Sequence, residues 1–421
     1  MSSLYSAILL LAINLGVLWL LMAAPVGTRT IRMRRSFRQS ADALWRAVNP
    51  SGASADWHHA VISSRAMPDR PGIVEQTYRH LDREGQSIRR LFDVKMTEPM
   101  PGMLGYTATV VDDSTLDNRF WRHFHERRQV VTDASGTTLI VEQTDTYRGF
   151  AFLIFRYFTL RRELRALEGW LKTGQSTPNG IFEHPLVQTF LAVLSTLILW
   201  PFFGLDAAGL MISTFLTVVI VLHELGHMAA YRTFGHRKVR MIFVPLLGGI
   251  AIGGRPYNSL FEVATCALMG SGMSAFLVPI LIAGIRANEA GWLPADWHGP
   301  LLVFLLILGA FNLLNLLPMY RFDGGQVLRQ IFTGKFSLVF ASFAITLAIL
   351  AVGWSIGLTA STLLAALAVF TLLSLIGFGS VKPKHELEKM SGGERLLVSF
   401  GLYAAVAMHA YAIRFAADIL F

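Results

Sequence analysis

A chain of 421 residues that is 53% hydrophobic and only 15% charged is too apolar for a soluble enzyme of its length and reads as a membrane protein. Its single cysteine, Cys266, excludes an intrachain disulfide, a thiolate zinc cluster and an iron–sulfur centre, so any metal must be held by His and carboxylate. The net charge of +9 fits Lys- and Arg-rich loops on one side of a membrane, and no nucleic-acid partner is expected.

In chain order, residues 4–24 are apolar over about the ~20 positions that span a bilayer. No basic residue precedes them, while Arg29, Arg32, Arg34 and Arg35 follow, so an uncleaved anchor is expected rather than a secretory signal. Residues 25–190 then hold 23 of the 37 Lys+Arg and 18 of the 28 Asp+Glu, which marks a soluble domain over 25–178. Within it Ile31, Met33 and Phe37 alternate with Arg32 and Arg34. Phe120, Arg122, Phe124, Glu126 and Arg128 repeat the period of two, and Thr138, Ile140 and Glu142 do so again, as strands of a half-buried sheet. A helix is expected from a cap at Ser40 to Val48, and a long one over 151–172 with Leu160, Leu164, Leu167 and Leu171 on one face.

From residue 179 to the end the chain is a polytopic core. Spans are expected at 186–204, 209–233, 261–285, 300–319, 336–356, 358–379 and 396–416, about eight with the anchor. Alternating sides from the anchor puts Arg286 and Arg414 on one side and nearly all other loop cations on the other, so the soluble domain is expected in the cytosol. Residues 241–254, MIFVPLLGGIAIGG, are too short to cross and too rich in Gly for a stable helix. A re-entrant hairpin shielded by protein is expected there.

His223, Glu224 and His227 form HELGH inside an apolar helical run. Four residues raise a helix by about 6 Å and return to the same face, so both imidazoles can bind one zinc ion with Glu224 beside them as general base. Two histidines and a carboxylate are costly inside a membrane helix, which argues against coincidence. A catalytic zinc needs a third protein ligand, and the spacing leaves two carboxylates open, Glu262 and Asp323.

Two resemblances extend this reading. The order of strand, two short helices, about six strands and a long helix, with the opening SFRQSADALWRAVNP, resembles the START-like helix-grip fold, which implies an α+β domain enclosing a cavity for an apolar small ligand. HExxH in one membrane helix with Asn315, Pro318, Asp323 and Gly324 in the pattern NxxPxxxxDG in a later one resembles the site-2 protease family of intramembrane zinc metalloproteases. That resemblance implies His223, His227 and Asp323 as ligands of one Zn²⁺ per chain, Glu224 as catalytic base, and Asn315 as a second catalytic residue orienting substrate or stabilising the oxyanion. It also implies that the hairpin pairs with an unwound substrate strand. The chain departs from the family where Gly270, Ser271, Gly272, Met273 and Ser274 replace a Gly-Pro pair followed by a small residue and Asn.

The expected function is therefore an intramembrane zinc endopeptidase in a bacterial inner membrane, opening to the cytosol. It would cleave transmembrane protein substrates and be regulated by, or recruit through, its START-like domain. The competing reading is a membrane-tethered lipid or small-ligand binding protein with a vestigial metal site. His58 and His59 are expected to line a surface or cavity, His385 and Glu386 to sit in a charged turn, and Cys266 to be a small core residue. Phe152, Phe155, Tyr157 and Phe158 are expected to fill the helix-grip core while Arg161, Arg162 and Arg165 stay solvated. Contact of this helix with membrane lipids is the competing reading.

Overall fold

The computed structural model describes residues 23–133, 136–175, 185–320, 322–375 and 386–421, apart from 83, 99, 238 and 245–247, together with 16, 19, 20 and 384. Most of the expected anchor, and His385, lie outside the described residues. The chain divides into two compact units, residues 1–179 with 376–386 and residues 180–375 with 387–421. Lys384 groups with the first unit. Lys384 Nζ meets Asp112 Oδ1 at 2.7 Å, and its amide donates to the Thr115 carbonyl.

The first unit is a seven-stranded antiparallel sheet, β1 (Pro25–Phe37), β2 (Val61–Ala66), β3 (Ile73–Leu81), β4 (Ser87–Met96), β5 (Met103–Asp113), β6 (His125–Asp133) and β7 (Gly136–Arg148). Its spatial order is β1-β7-β6-β5-β4-β3-β2, so the first strand closes against the last, with Ile31 opposite Gln143 and Met33 opposite Val141. Helices α1 (Ala41–Val48) and α2 (Ser54–Trp57) link β1 to β2, and α3 (Phe150–Thr173) follows β7. Ser40 caps α1 by accepting from the Ala43 amide. The expected order of elements is the one observed. One core joins sheet and helices, with Ile31, Met33 and Phe37 of β1, Leu44 and Val48 of α1, Trp57, Val130, Leu139 and Val141 packing on Leu160, Leu164 and Leu167 of α3.

Two expectations are corrected. Phe120 and Arg122 do not belong to a strand, because the Asp117 side chain accepts from the Arg119 amide and starts a short 3₁₀ turn, so β6 begins only at His125. The aromatics of α3 do not fill the core. Phe152, Ile154, Phe155, Tyr157 and Phe158 are all exposed, because the face of α3 toward the sheet is taken by Leu160, Leu164 and Leu167.

Toward one end the inward side of the sheet is polar. Arg128 Nε meets Glu126 Oε1 at 2.9 Å, Tyr106 donates to the same oxygen at 3.3 Å, and Arg156 donates to Gln143. Glu163, buried on α3, faces His58 Nε2 at 3.8 Å and Arg156 at 3.9 Å. Burial alone would raise its pKa, but His58, Arg156 and Arg128 together hold it down to about 2. A carboxylate depressed in the folded state stabilises above its unfolded pKa and loses that stabilisation as pH falls through the folded value. The domain should therefore lose roughly 3 kcal/mol between about pH 5 and pH 2 from this group alone. Near-ultraviolet circular dichroism of the full chain in detergent should show a shallower acid slope for Glu163→Gln.

Among the described residues of the second unit, six segments are long and apolar enough to cross a membrane: Leu186–Phe203, Ala207–Thr233, Leu260–Glu289, Ala295–Asn315, Lys335–Ser355 and Gly392–Leu420. With the soluble domain they make the chain a polytopic α-helical membrane protein carrying an α+β helix-grip domain. The helices are α4 (Pro185–Leu199), α5 (Ala207–Thr233), α6 (Leu260–Ala275), α7 (Leu277–Glu289), α8 (His298–Asn315), α9 (Asp323–Ile331), α10 (Lys335–Ser355), α11 (Ala360–Leu375) and α12 (Gly392–Leu420). The third span breaks at Phe276 between α6 and α7, and Pro279 falls in the first turn of α7, where a missing amide hydrogen leaves no bond unmade. The apolar stretch expected to be re-entrant is an antiparallel pair, β8 (Arg240–Val244) with β9 (Gly248–Ile252). Buried leucines of α8 pack between α7 and α12, and α6 packs along α5.

Candidate metal centre

Helix α5 is capped by Asp206, which accepts from the Gly209 amide, and runs unbroken through HELGH. His223 and Glu224 are buried in it, and His227 is nearly so. Their spacing of four puts both rings on one face, with His223 Nε2 and His227 Nε2 3.1 Å apart.

The third group arrives from a helix start. Helix α8 ends at Asn315, Pro318 follows, and α9 begins at Asp323. The reversal between them is so tight that a Cβ on Gly324 would sit 1.9 Å from the Leu316 carbonyl oxygen. Glycine alone fits there, as expected from the DGG sequence. Asp323 Oδ2 thereby lies 3.0 Å from His223 Nε2 and 3.3 Å from His227 Nε2.

The bonds made by the other ring nitrogens fix both tautomers. His227 Nδ1 faces the Cys266 carbonyl at 2.7 Å, which can only accept, so the proton is on Nδ1 and the Nε2 lone pair is free. His223 Nδ1 lies 2.8 Å from Asn312 Oδ1, while the Asn312 amide nitrogen donates to the Leu308 carbonyl. That second bond sets the amide's orientation, so His223 likewise keeps its lone pair at Nε2. Two lone pairs and a buried carboxylate oxygen with no hydrogen-bond partner among the described residues therefore face one point. In a tetrahedral zinc site with Zn–N and Zn–O bonds of about 2.0–2.2 Å, ligand atoms stand about 3.3–3.6 Å apart. The observed 3.0–3.3 Å triangle fits that ion with modest expansion.

Glu224 is held beside this triangle. Its carboxylate lies within 4.8 Å of the histidine nitrogens, but Oε2 accepts the Ala251 amide of β9 at 2.7 Å. That bond ties the carboxylate to the hairpin. Gly270 of α6 closes another side, where a Cβ would come within 2.6 Å of both imidazoles. Glycine at this first position of the departing GSGMS run thus leaves room for the two imidazoles.

Glu262, the other carboxylate open in the sequence, is spent elsewhere. It is 1% exposed and meets His236 Nε2 at 2.6 Å, Arg255 at 3.0 Å and the Asn258 amide at 2.7 Å. These bonds tie the segments on both sides of the hairpin to the first turn of α6. Asn315 is not bonded to the centre. Its amide donates to the Phe311 carbonyl of its own helix at 3.0 Å, and Asn312, one turn earlier and fully buried, meets the histidine instead. Reading from sequence passed over Asn312, although an amide at the heart of an apolar helix was the signal available. Asn312→Ala should lower zinc affinity by about 10- to 100-fold, the usual effect of removing an outer-shell partner, as measured by competition with a chelator.

No protein-family model matches the chain. Over 126 residues it is 30% identical to zinc metalloprotease MJ0392 of Methanocaldococcus jannaschii, a match covering 29% of this chain and 34% of that protein. The chain is similar to a zinc metalloprotease. The match spans about a third of that relative's length. Among solved structures it is similar to protein MLL2253 of Mesorhizobium loti, at 18% identity and a TM-score of 0.25 over 34% of this chain and 97% of the other. It is also similar to the AHSA1 protein of Silicibacter pomeroyi, at 19% identity and a TM-score of 0.24 over 35% and 100%.

Proposed function

We propose that the chain is an intramembrane zinc endopeptidase of the site-2 protease kind. The observation that carries this reading is the convergence of His223 Nε2, His227 Nε2 and Asp323 Oδ2 within 3.0–3.3 Å on helices of a membrane core, with Glu224 alongside. Zinc held there would polarise a scissile carbonyl and make water acidic enough to attack it near neutral pH. Glu224 takes the proton of the attacking water and returns it to the leaving amine. Asn312 and the Cys266 carbonyl keep the imidazoles in the tautomer that offers Nε2. Asn315 is the proposed donor to the oxyanion.

The hairpin supports the same reading. Ala251 and Phe243 turn their amides away from the partner strand, the first to Glu224 and the second to Gln188 Oε1 of α4. Gln188 thus holds β8 at Phe243, and Glu224 holds β9 at Ala251. An extended substrate pairing with β9 would lie along the catalytic carboxylate. A transmembrane helix of the substrate, unwound on the cytosolic side of a bacterial inner membrane, is the proposed target.

The soluble domain is proposed to gate or recruit. Its inward Glu126, Arg128 and Gln143 suit a ligand with a polar head better than a bare hydrocarbon. A ligand-binding protein with a vestigial metal site fits less well, since a vestigial site has no need of two separate partners fixing its histidines. Quantitative proteomics of membrane-protein fragments from cells carrying the wild-type chain or Glu224→Gln tests the proposal. Fragments that depend on Glu224 are the expected result, and identical fragment sets would overturn it.

A further inference from the structure

Helix α3 has two faces of opposite use. Leu160, Leu164 and Leu167 are buried in the domain core, whereas Phe152, Ile154, Phe155, Tyr157 and Phe158 are exposed, Phe155 by 69%. At about 100° per residue, Ile154, Phe158, Arg161 and Arg165 fall along one stripe, with Phe155 beside it, on the side away from the leucines. Aromatic and aliphatic side chains fill the first turns of that stripe, and arginines fill the next. No acid interrupts it: Glu163 is buried on the other side, and Glu168 is paired with Arg35 and Lys172. A contiguous apolar surface of this size is unusual on a soluble domain and marks a contact.

We propose that α3, from its N-terminus to Arg165, docks on the surface of the lipid bilayer, with its rings in the interfacial layer and the exposed Arg161 and Arg165 against anionic headgroups. Two further observations select lipid as the occupant. The helix starts where the chain leaves its apolar N-terminal segment: the Gly149 amide donates to the Ala24 carbonyl at 2.8 Å, and Pro25 is registered opposite Arg148. The patch therefore begins beside Ala24, where an apolar stretch of the sequence ends whose length and composition suit a membrane span. Its charge is complementary as well, because exposed arginines beside aromatic rings are the composition of a helix lying in an anionic interface. The inference concerns the soluble domain and does not depend on the protease reading.

The single native cysteine makes the test direct, because Cys266 is 1% exposed. The full chain carrying Phe155→Cys, labelled with a fluorophore and placed in nanodiscs of phosphatidylcholine with phosphatidylglycerol, should be quenched by a lipid-borne quencher and shielded from iodide. The same label on Glu84→Cys, in the exposed turn between β3 and β4, should respond to iodide alone. Arg161→Gln with Arg165→Gln should shift the Phe155 label toward the aqueous quencher, by about fivefold in the docking equilibrium for each arginine replaced. A Phe155 label open to iodide in anionic nanodiscs would overturn the proposal. A label shielded from both quenchers would overturn it in favour of protein covering the patch.

Discussion

Glu224→Gln should keep its zinc and lose its proteolytic activity. The amide has the size of the carboxylate, and its carbonyl oxygen can still accept the Ala251 amide that Glu224 Oε2 accepts at 2.7 Å, so β9 stays in place. The histidine tautomers are set by Asn312 and the Cys266 carbonyl and do not involve this residue. What the amide cannot do is take a proton from water. Loss of a positioned general base lowers rates by about 10²- to 10⁴-fold. The purified variant, reconstituted with a transmembrane substrate, should therefore show about one zinc per chain by elemental analysis and cleavage reduced by that factor. Wild-type cleavage with Glu224→Gln would remove the residue from the mechanism.

The parts of the centre that local helical geometry dictates were legible in the sequence. HELGH fixes two ring nitrogens on one face whatever surrounds it, and Pro318 with Gly324 announces that α8 must stop and the chain reverse before Asp323. Glu262 stayed open because spacing alone cannot say which of two carboxylates a folded chain delivers. The choice depends on His236 and Arg255, which only the crossing of the hairpin brings to Glu262. Asn312 was missed for the same reason, since its contact with His223 is a property of how α8 crosses α5. The order of elements in the soluble domain followed from period-two and period-3.6 patterns, which sense burial directly. Its one large error, the aromatics of α3, came from assigning Phe and Tyr to the core by type. The helical angle of Ile154 and Phe158 to Leu160, Leu164 and Leu167 already placed them off the core face.

Asp323→Ala and Glu262→Ala should separate binding the metal from holding the hairpin. Removing Asp323 leaves two imidazoles, one short of the three protein ligands of a catalytic zinc site. The Asp323→Ala protein should emerge from dialysis against a weak chelator with roughly a tenth of a zinc per chain or less, while its helices stay folded. Glu262→Ala acts in the reverse sense. It leaves the triangle of donor atoms untouched but strands His236 and Arg255 in a site where Glu262 is 1% exposed, and breaking such a buried pair costs about 3–5 kcal/mol. That loss falls on the loops flanking β8 and β9, so hydrogen exchange across Arg240–Val244 and Gly248–Ile252 should quicken while zinc stays near one per chain. Cleavage should then fall because the β9 edge is no longer fixed beside Glu224, and a strand-forming substrate should suffer a raised KM before a lowered kcat. Full zinc in Asp323→Ala together with loss in Glu262→Ala would reverse the assignment. Loss in both would mean that the hairpin, through Ala251 and Glu224, is itself needed to keep the metal site closed.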